Sequence, residues 1–310
     1  MKLALIINDT DQLLLKKLVV AILSIFLLVN LDVGLGANLL DMDRLVIPFI
    51  YLTLPALLLS KMIGWDTIVV LRNQFVSIGV IVSLLNLVAL INNLSDAEQV
   101  SSYLKFTYGP LSIGILLSYL LFMYNRDVNY EVKLSWLSTV ILSFASLIAL
   151  AASWLSISPS SSSIGISGLV DVPSIQIIAV VLLNGYLYQG FKNRNLTEKL
   201  CQSSIFCCIV AAVLGIAYYA FAAGQADPKL IGPVIATSLL SMFYGVVICY
   251  FSTNIGGKDR LTIKEAAYMD WHVIESYIFL TLMVFPPLAL LELASLVESR
   301  MGKLKEQEAK

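Results

Sequence analysis

Residues 75–94, FVSIGVIVSLLNLVALINNL, decide the fold. The stretch carries no charge, and as a helix rising about 1.5 Å per residue it is long enough for the ~30 Å hydrocarbon core of a bilayer. Backbone amides and carbonyls have no partners in lipid, so such a stretch spans as a helix that satisfies its own backbone. Working outward, similar segments occupy 18–36, 45–64, 106–124, 134–157, 172–191, 203–223, 231–251 and 273–297. The third to the eighth of the resulting nine contain no Asp, Glu, Lys or Arg. The second ends near Lys61, whose ammonium can reach the interface along its own stem.

Composition points the same way. Hydrophobic residues make up 58% of the 310 and charged residues 13%, against about 45–50% and about 25% in soluble domains. Mean hydropathy is +0.85. The net charge of −1 gives no basic field for nucleic acid. Cys201, Cys207, Cys208 and Cys249 lie in or beside apolar segments, and His272 is the one histidine, so the cysteines read as small buried hydrophobes. The first segment follows Lys16 and Lys17 and reads as a retained helix.

Lys and Arg orient the spans. With the N-terminus in the cytoplasm and eight segments alternating, thirteen of the 20 basic residues fall inside and three (Arg44, Lys105, Lys229) outside. The other four lie in the tail. The ninth segment carries Glu275, Glu292 and the helix-breaking pair Pro286-Pro287. A crossing there would carry the basic tail outside. A bent segment lying in or dipping into the inner interface is therefore expected, with a ninth crossing as the alternative.

The chain also resembles itself. Asp41 precedes an apolar helix, and so does Asp171, 130 residues later. Ile81–Leu85 pairs with Val210–Leu214 at a separation of 129. Gly109-Pro110 followed by Leu116-Leu117-Ser118 matches Gly232-Pro233 followed by Leu239-Leu240-Ser241 at a separation of 123. The expected architecture is an all-α integral membrane protein of eight transmembrane helices, as two parallel four-helix repeats. They occupy 1–125 and 126–255, and 256–310 forms an inner interfacial segment and charged tail.

Three stretches then carry a family resemblance: Cys208–Gly215 (CIVAAVLG), Asp227–Gly245 (DPKLIGPVIATSLLSMFYG) and Gly168–Ser174 (GLVDVPS). Together they resemble the MotA/TolQ/ExbB ion-channel family, most closely its flagellar stator subunits. The resemblance covers about 165–255 and reaches the first half only through the internal repeat. It implies a ring of copies in a bacterial inner membrane around a single-span MotB/TolR/ExbD-like partner. That partner would supply a membrane aspartate that binds H+ or Na+. A carboxylate in low dielectric must neutralise, pair or see water, so small hydroxyls on the ring are the expected lining.

On that basis the ion-path or partner-facing candidates are Ser83, Ser118, Ala212, Ser241 and Met242. Two of these depart from the family pattern. Ala212 stands where a hydroxyl is common, and Met242 replaces one of a threonine pair, as Tyr119 does in the first unit. The large charged cytoplasmic domain of stator subunits is also missing, its place taken by Lys192–Gln202 alone. A non-conducting scaffold derived from the family is therefore the alternative, and a small-molecule transporter a further one.

Gly114, Gly215 and Gly245 are expected to let helices approach closely, and Pro233 to start or bend one. Asp41 and Asp171 read as helix caps. Asn86, Asn184 and Gln176 read as interhelical glue, and His272 with Glu275 as an interfacial pair. No phosphate loop, paired deep carboxylates or activated nucleophile marks an enzyme, and no cofactor or metal is expected.

Overall fold

The computed structural model describes residues 42–63, 67–92, 107–122, 136–157, 169–188 and 228–254. It also describes residues 210, 213, 217, 271, 273–278, 280 and 281. Every regular element among them is helical. In chain order these are α1 (Ile47–Ile63), α2 (Thr67–Asn92), α3 (Gly109–Phe122), α4 (Trp136–Ile157), α5 (Val172–Tyr188) and α6 (Pro228–Asn254). A wide π-helical turn, Met42–Val46, runs directly into α1.

Local chemistry explains the boundaries. Pro48 follows the π-helical turn and has no N–H for the Arg44 carbonyl, which accepts from Asn86 Nδ2 instead, and Pro55 deletes one backbone bond in the interior of α1. Hydroxyls in α1 turn back on their own helix: Thr53 Oγ1 donates to the Ile50 carbonyl at 2.7 Å and Ser60 Oγ to that of Leu57 at 2.8 Å. Gly109 and Pro110 open α3. Asp171 caps α5, its carboxylate accepting the Ser174 amide at 3.0 Å.

The helices Asp43–Met62, Thr67–Leu90 and Trp136–Ile157 are long and apolar enough to cross a membrane, and Gly109–Leu121 and Thr237–Phe251 are shorter apolar helices. The described residues are all-helical, and their long apolar helices point to a membrane protein. Described helices coincide with the second to sixth and the eighth expected spans. The first span lies outside the described residues, and of the seventh only Val210, Val213 and Ala217 are described, each helical.

α2 is the hub. Every residue from Gln74 to Leu90 is buried. α1, α3 and α6 pack on it, while α4 packs on α1 and α5 on α6. The main core runs through Ile78, Leu85, Trp154, Phe243 and Tyr250, and a smaller cluster holds Ala56, Leu59, Val70 and Leu142 between α1, α2 and α4. Described helices from both 1–125 and 126–255 contribute to the main core. α5 lies on α6, and α1 and α3 border a cleft of about 270 Å³ lined by Phe49 and Ile113.

The start of the ninth apolar segment is described in part. Val273, Tyr277, Leu280 and Thr281 are buried in the core, while Trp271, Glu275 and Ile278 are exposed. Tyr277 donates its hydroxyl to the Thr107 carbonyl, and the Tyr108 hydroxyl meets Thr281 Oγ1 at 2.7 Å. This places Tyr277 beside the beginning of α3, whose Leu111 faces Ser83. The described part of the segment is thus packed into the core, its phenol and hydroxyl bonded at the opening of α3. The His272 side chain lies outside the described residues.

Candidate functional site

Among the described residues, α2 and α3 make the closest helix approach, at a glycine seam. Gly79 and Gly114 face each other there. A Cβ on Gly114 would stand 2.5 Å from the Phe75 carbonyl oxygen, and one on Gly79 would stand 2.7 Å from that of Pro110. Each glycine has a serine four residues on, Gly79 with Ser83 and Gly114 with Ser118. The small-xxx-small spacing that lets membrane helices touch is thus present on both faces.

The two serines are used at the two ends of this seam. Ser83, fully buried, accepts the Leu111 backbone amide at 3.2 Å, one of the donors a helix start leaves without a partner. Ser118 donates to the Arg72 carbonyl at 3.1 Å. They lie eleven residues apart in terms of their α2 partners, about 16 Å along the axis, and so do not converge on one point.

A second polar cluster ties α2, α4, α6 and α1 together near the C-terminal end of α6. Gln74 Nε2 donates to Asn254 Oδ1 at 2.8 Å, and Asn254 Nδ2 donates to Ser146 Oγ at 2.9 Å. One turn earlier on the same face of α6, the Tyr250 hydroxyl donates to the Leu52 carbonyl at 2.6 Å. All four polar side chains are buried to within 1%. Gln74 Oε1 has no hydrogen-bond partner; nor do Asn86 Oδ1, Thr107 Oγ1 and Ser241 Oγ. Arg72 is only 9% exposed, and its guanidinium lies against Asn73 Oδ1 at 3.1 and 3.2 Å.

A third contact holds the start of α5. The Tyr244 hydroxyl donates to the Leu169 carbonyl and accepts the Asp171 amide at 3.1 Å.

Of the residues expected at a site, Ser83 and Ser118 therefore join α2 to α3. Ser241 is buried with its hydroxyl unpartnered, and Met242 is fully buried in the core. Gly114 lies against Gly79 and the Phe75 carbonyl, and Gly245 is buried in α6. Pro233 falls within the first turns of α6. Ala212 and Gly215 lie outside the described residues, as do Asp41 and the Asn184 side chain. Asn86 acts as interhelical glue, donating to the Arg44 carbonyl at 3.1 Å, while Gln176 is exposed.

Sequence reasoning passed over Gln74, Ser146, Tyr250 and Asn254. Their signal was an amide or phenol inside or at the edge of an apolar run, where a polar group must find a partner. Among the described residues no group of three His, Cys, Asp or Glu side chains could hold a metal, and Cys249 is buried and in no disulfide.

These features define a class, a helical membrane protein with a polar-laced core. No known family model, no curated protein and no solved structure matches the chain.

Proposed function

We propose that this chain is a membrane-embedded subunit of the MotA/TolQ/ExbB type that acts as a scaffold for a single-span MotB/TolR/ExbD-like partner and does not itself line an ion path. The proposal carries over eight spans in two repeats, a homo-oligomer, a bacterial inner membrane and a cytoplasmic N-terminus. The observation that favours a scaffold is the fate of the candidate lining. Ser83 and Ser118 are taken up by bonds within the chain, and Met242 is wholly enclosed by the chain's own core. A residue that lines a lumen has to face water or the partner, and from Gln74 to Leu90 α2 has no face left for either.

A second reading, conduction of H+ or Na+, is favoured by the unpartnered oxygens of Gln74 and Ser241. Buried oxygens without donors are the groups that a permeating cation or a water file would use.

The test is ion flux in proteoliposomes loaded with pH- or sodium-sensitive dye. The protein is purified with native lipids so that a small single-span protein stays attached. The scaffold reading expects co-purification of that partner and no flux with or without it. Flux that depends on the partner and falls in Ser241→Ala would establish the second reading. Purification with no companion, together with uptake of a small solute by the chain alone, would remove both.

A further inference from the structure

The outer surface carries a groove of about 610 Å³ between α1 and α4, lined from Tyr51, Pro55 and Lys61 on one side to Ala145, Ala149 and Ala152 on the other. Ser153 bonds to the Pro48 carbonyl, and the groove runs away from that contact toward higher numbers on α1 and lower numbers on α4, so the two helices are antiparallel. Lys61 therefore lies at the same end as Trp136, which begins α4 and is 80% exposed.

We propose that this groove holds one acyl chain of an anionic glycerophospholipid, with the phosphate at Lys61. Three observations carry the assignment. The walls are apolar apart from Lys61, the sole charged residue among those lining it, and an exposed Trp at the same end marks an interface level. From Lys61 to Tyr51 is ten residues, about 15 Å of helix, which is half the ~30 Å hydrocarbon thickness. The groove is thus one leaflet deep, the length of a lipid tail. A partner helix or a second copy would need a groove running the full depth. A single ammonium at the mouth complements a phosphate, and basic sites between membrane helices bind such headgroups.

The experiment uses the full-length protein in nanodiscs of equal palmitoyl-oleoyl phosphatidylglycerol and phosphatidylcholine, ejected intact for native mass spectrometry. One tightly retained phosphatidylglycerol per chain is expected, preferred about fivefold over phosphatidylcholine, the factor a single near-surface lysine supplies. Lys61→Gln should remove that preference while leaving lipid in the groove. Ala145→Phe fills the groove and should abolish retention of either lipid. Should Ala145→Phe not fold, phosphatidylglycerol bearing a diazirine on its tail provides the second measurement on the wild type: cross-links should concentrate on peptides containing Tyr51 and Ala152. Equal retention of both lipids by the wild type, or cross-links spread evenly over the chain, would overturn the assignment. So would a dimer that Ala145→Phe dissociates, because the groove would then belong to a second copy. None of these outcomes bears on ion flux, so this test and that of the proposed function fail separately.

Discussion

Replacing Gly114 with alanine adds one methyl group at the tightest point of the α2–α3 seam. The new Cβ would stand 2.5 Å from the Phe75 carbonyl oxygen, where ordinary contacts begin at 3.4 Å. The obstacle is backbone, so no side-chain rotation relieves it, and the helices must separate by about 0.9 Å. That movement also stretches the bonds at the two ends of the seam. Ser83 to the Leu111 amide and Ser118 to the Arg72 carbonyl, now 3.2 and 3.1 Å, would open to about 4 Å and cease to be hydrogen bonds. Overpacking of this kind costs about 1–3 kcal/mol, and each interhelical hydrogen bond contributes about 0.6 kcal/mol in a membrane protein. Alanine returns about 1 kcal/mol over glycine in a helix interior. The net expectation is a loss of about 1–3 kcal/mol. Reversible unfolding in mixed detergent and dodecyl sulfate measures it, with fluorescence of the buried Trp154 as a reporter. In Gly79→Ala/Gly114→Ala the two losses should sum to less than the separate values, because the first methyl has already opened the seam for the second. A Gly114→Ala protein as stable as the wild type would refute the close approach of α2 and α3.

Gln74→Leu strands the Asn254 amide oxygen in the core and should cost about 1–3 kcal/mol, whereas Gln74→Leu/Asn254→Leu should cost less than its two components together; the same unfolding titration reads both. Asp171→Ala removes the cap on α5 and should cost about 1 kcal/mol, with faster hydrogen exchange confined to the first turn of that helix. Cysteine placed at Asp43 and at Met62, both exposed and at opposite ends of the first apolar helix of the described structure, should react with a membrane-impermeant maleimide from opposite sides. Labelling of both from one side would refute the span.

Helix positions were legible because hydropathy and length suffice for them. The segment read at 45–64 is α1 at Ile47–Ile63, and the one read at 134–157 is α4 at Trp136–Ile157. What hydropathy does not encode is the neighbour. A leucine facing lipid and one facing protein look alike in sequence. α2, enclosed from Gln74 to Leu90, and α4, with Leu147, Ile148 and Leu155 exposed, therefore read as the same kind of span. Gly114 stood out while its partner Gly79 did not, although the Gly79–Ser83 and Gly114–Ser118 spacings together were a readable sign of close approach. Tyr244, Tyr250 and Tyr277 were missed for a different reason. Each phenol bonds a carbonyl more than seventy residues away, a pairing that no local pattern announces.

The bond between Gln74 and Asn254 joins residues 180 positions apart. At about 5–20 residues per second, a ribosome needs roughly 10–40 s to deliver the second after the first. For that interval the glutamine amide has entered the bilayer and its eventual partner does not exist. Water in the insertion channel, or the polar interior of an insertase, has to solvate it meanwhile. The order in which the helices leave the translocon is thus a chemical constraint on this chain: the helix enclosed from Gln74 to Leu90 is made early and can be closed in only once α6 arrives.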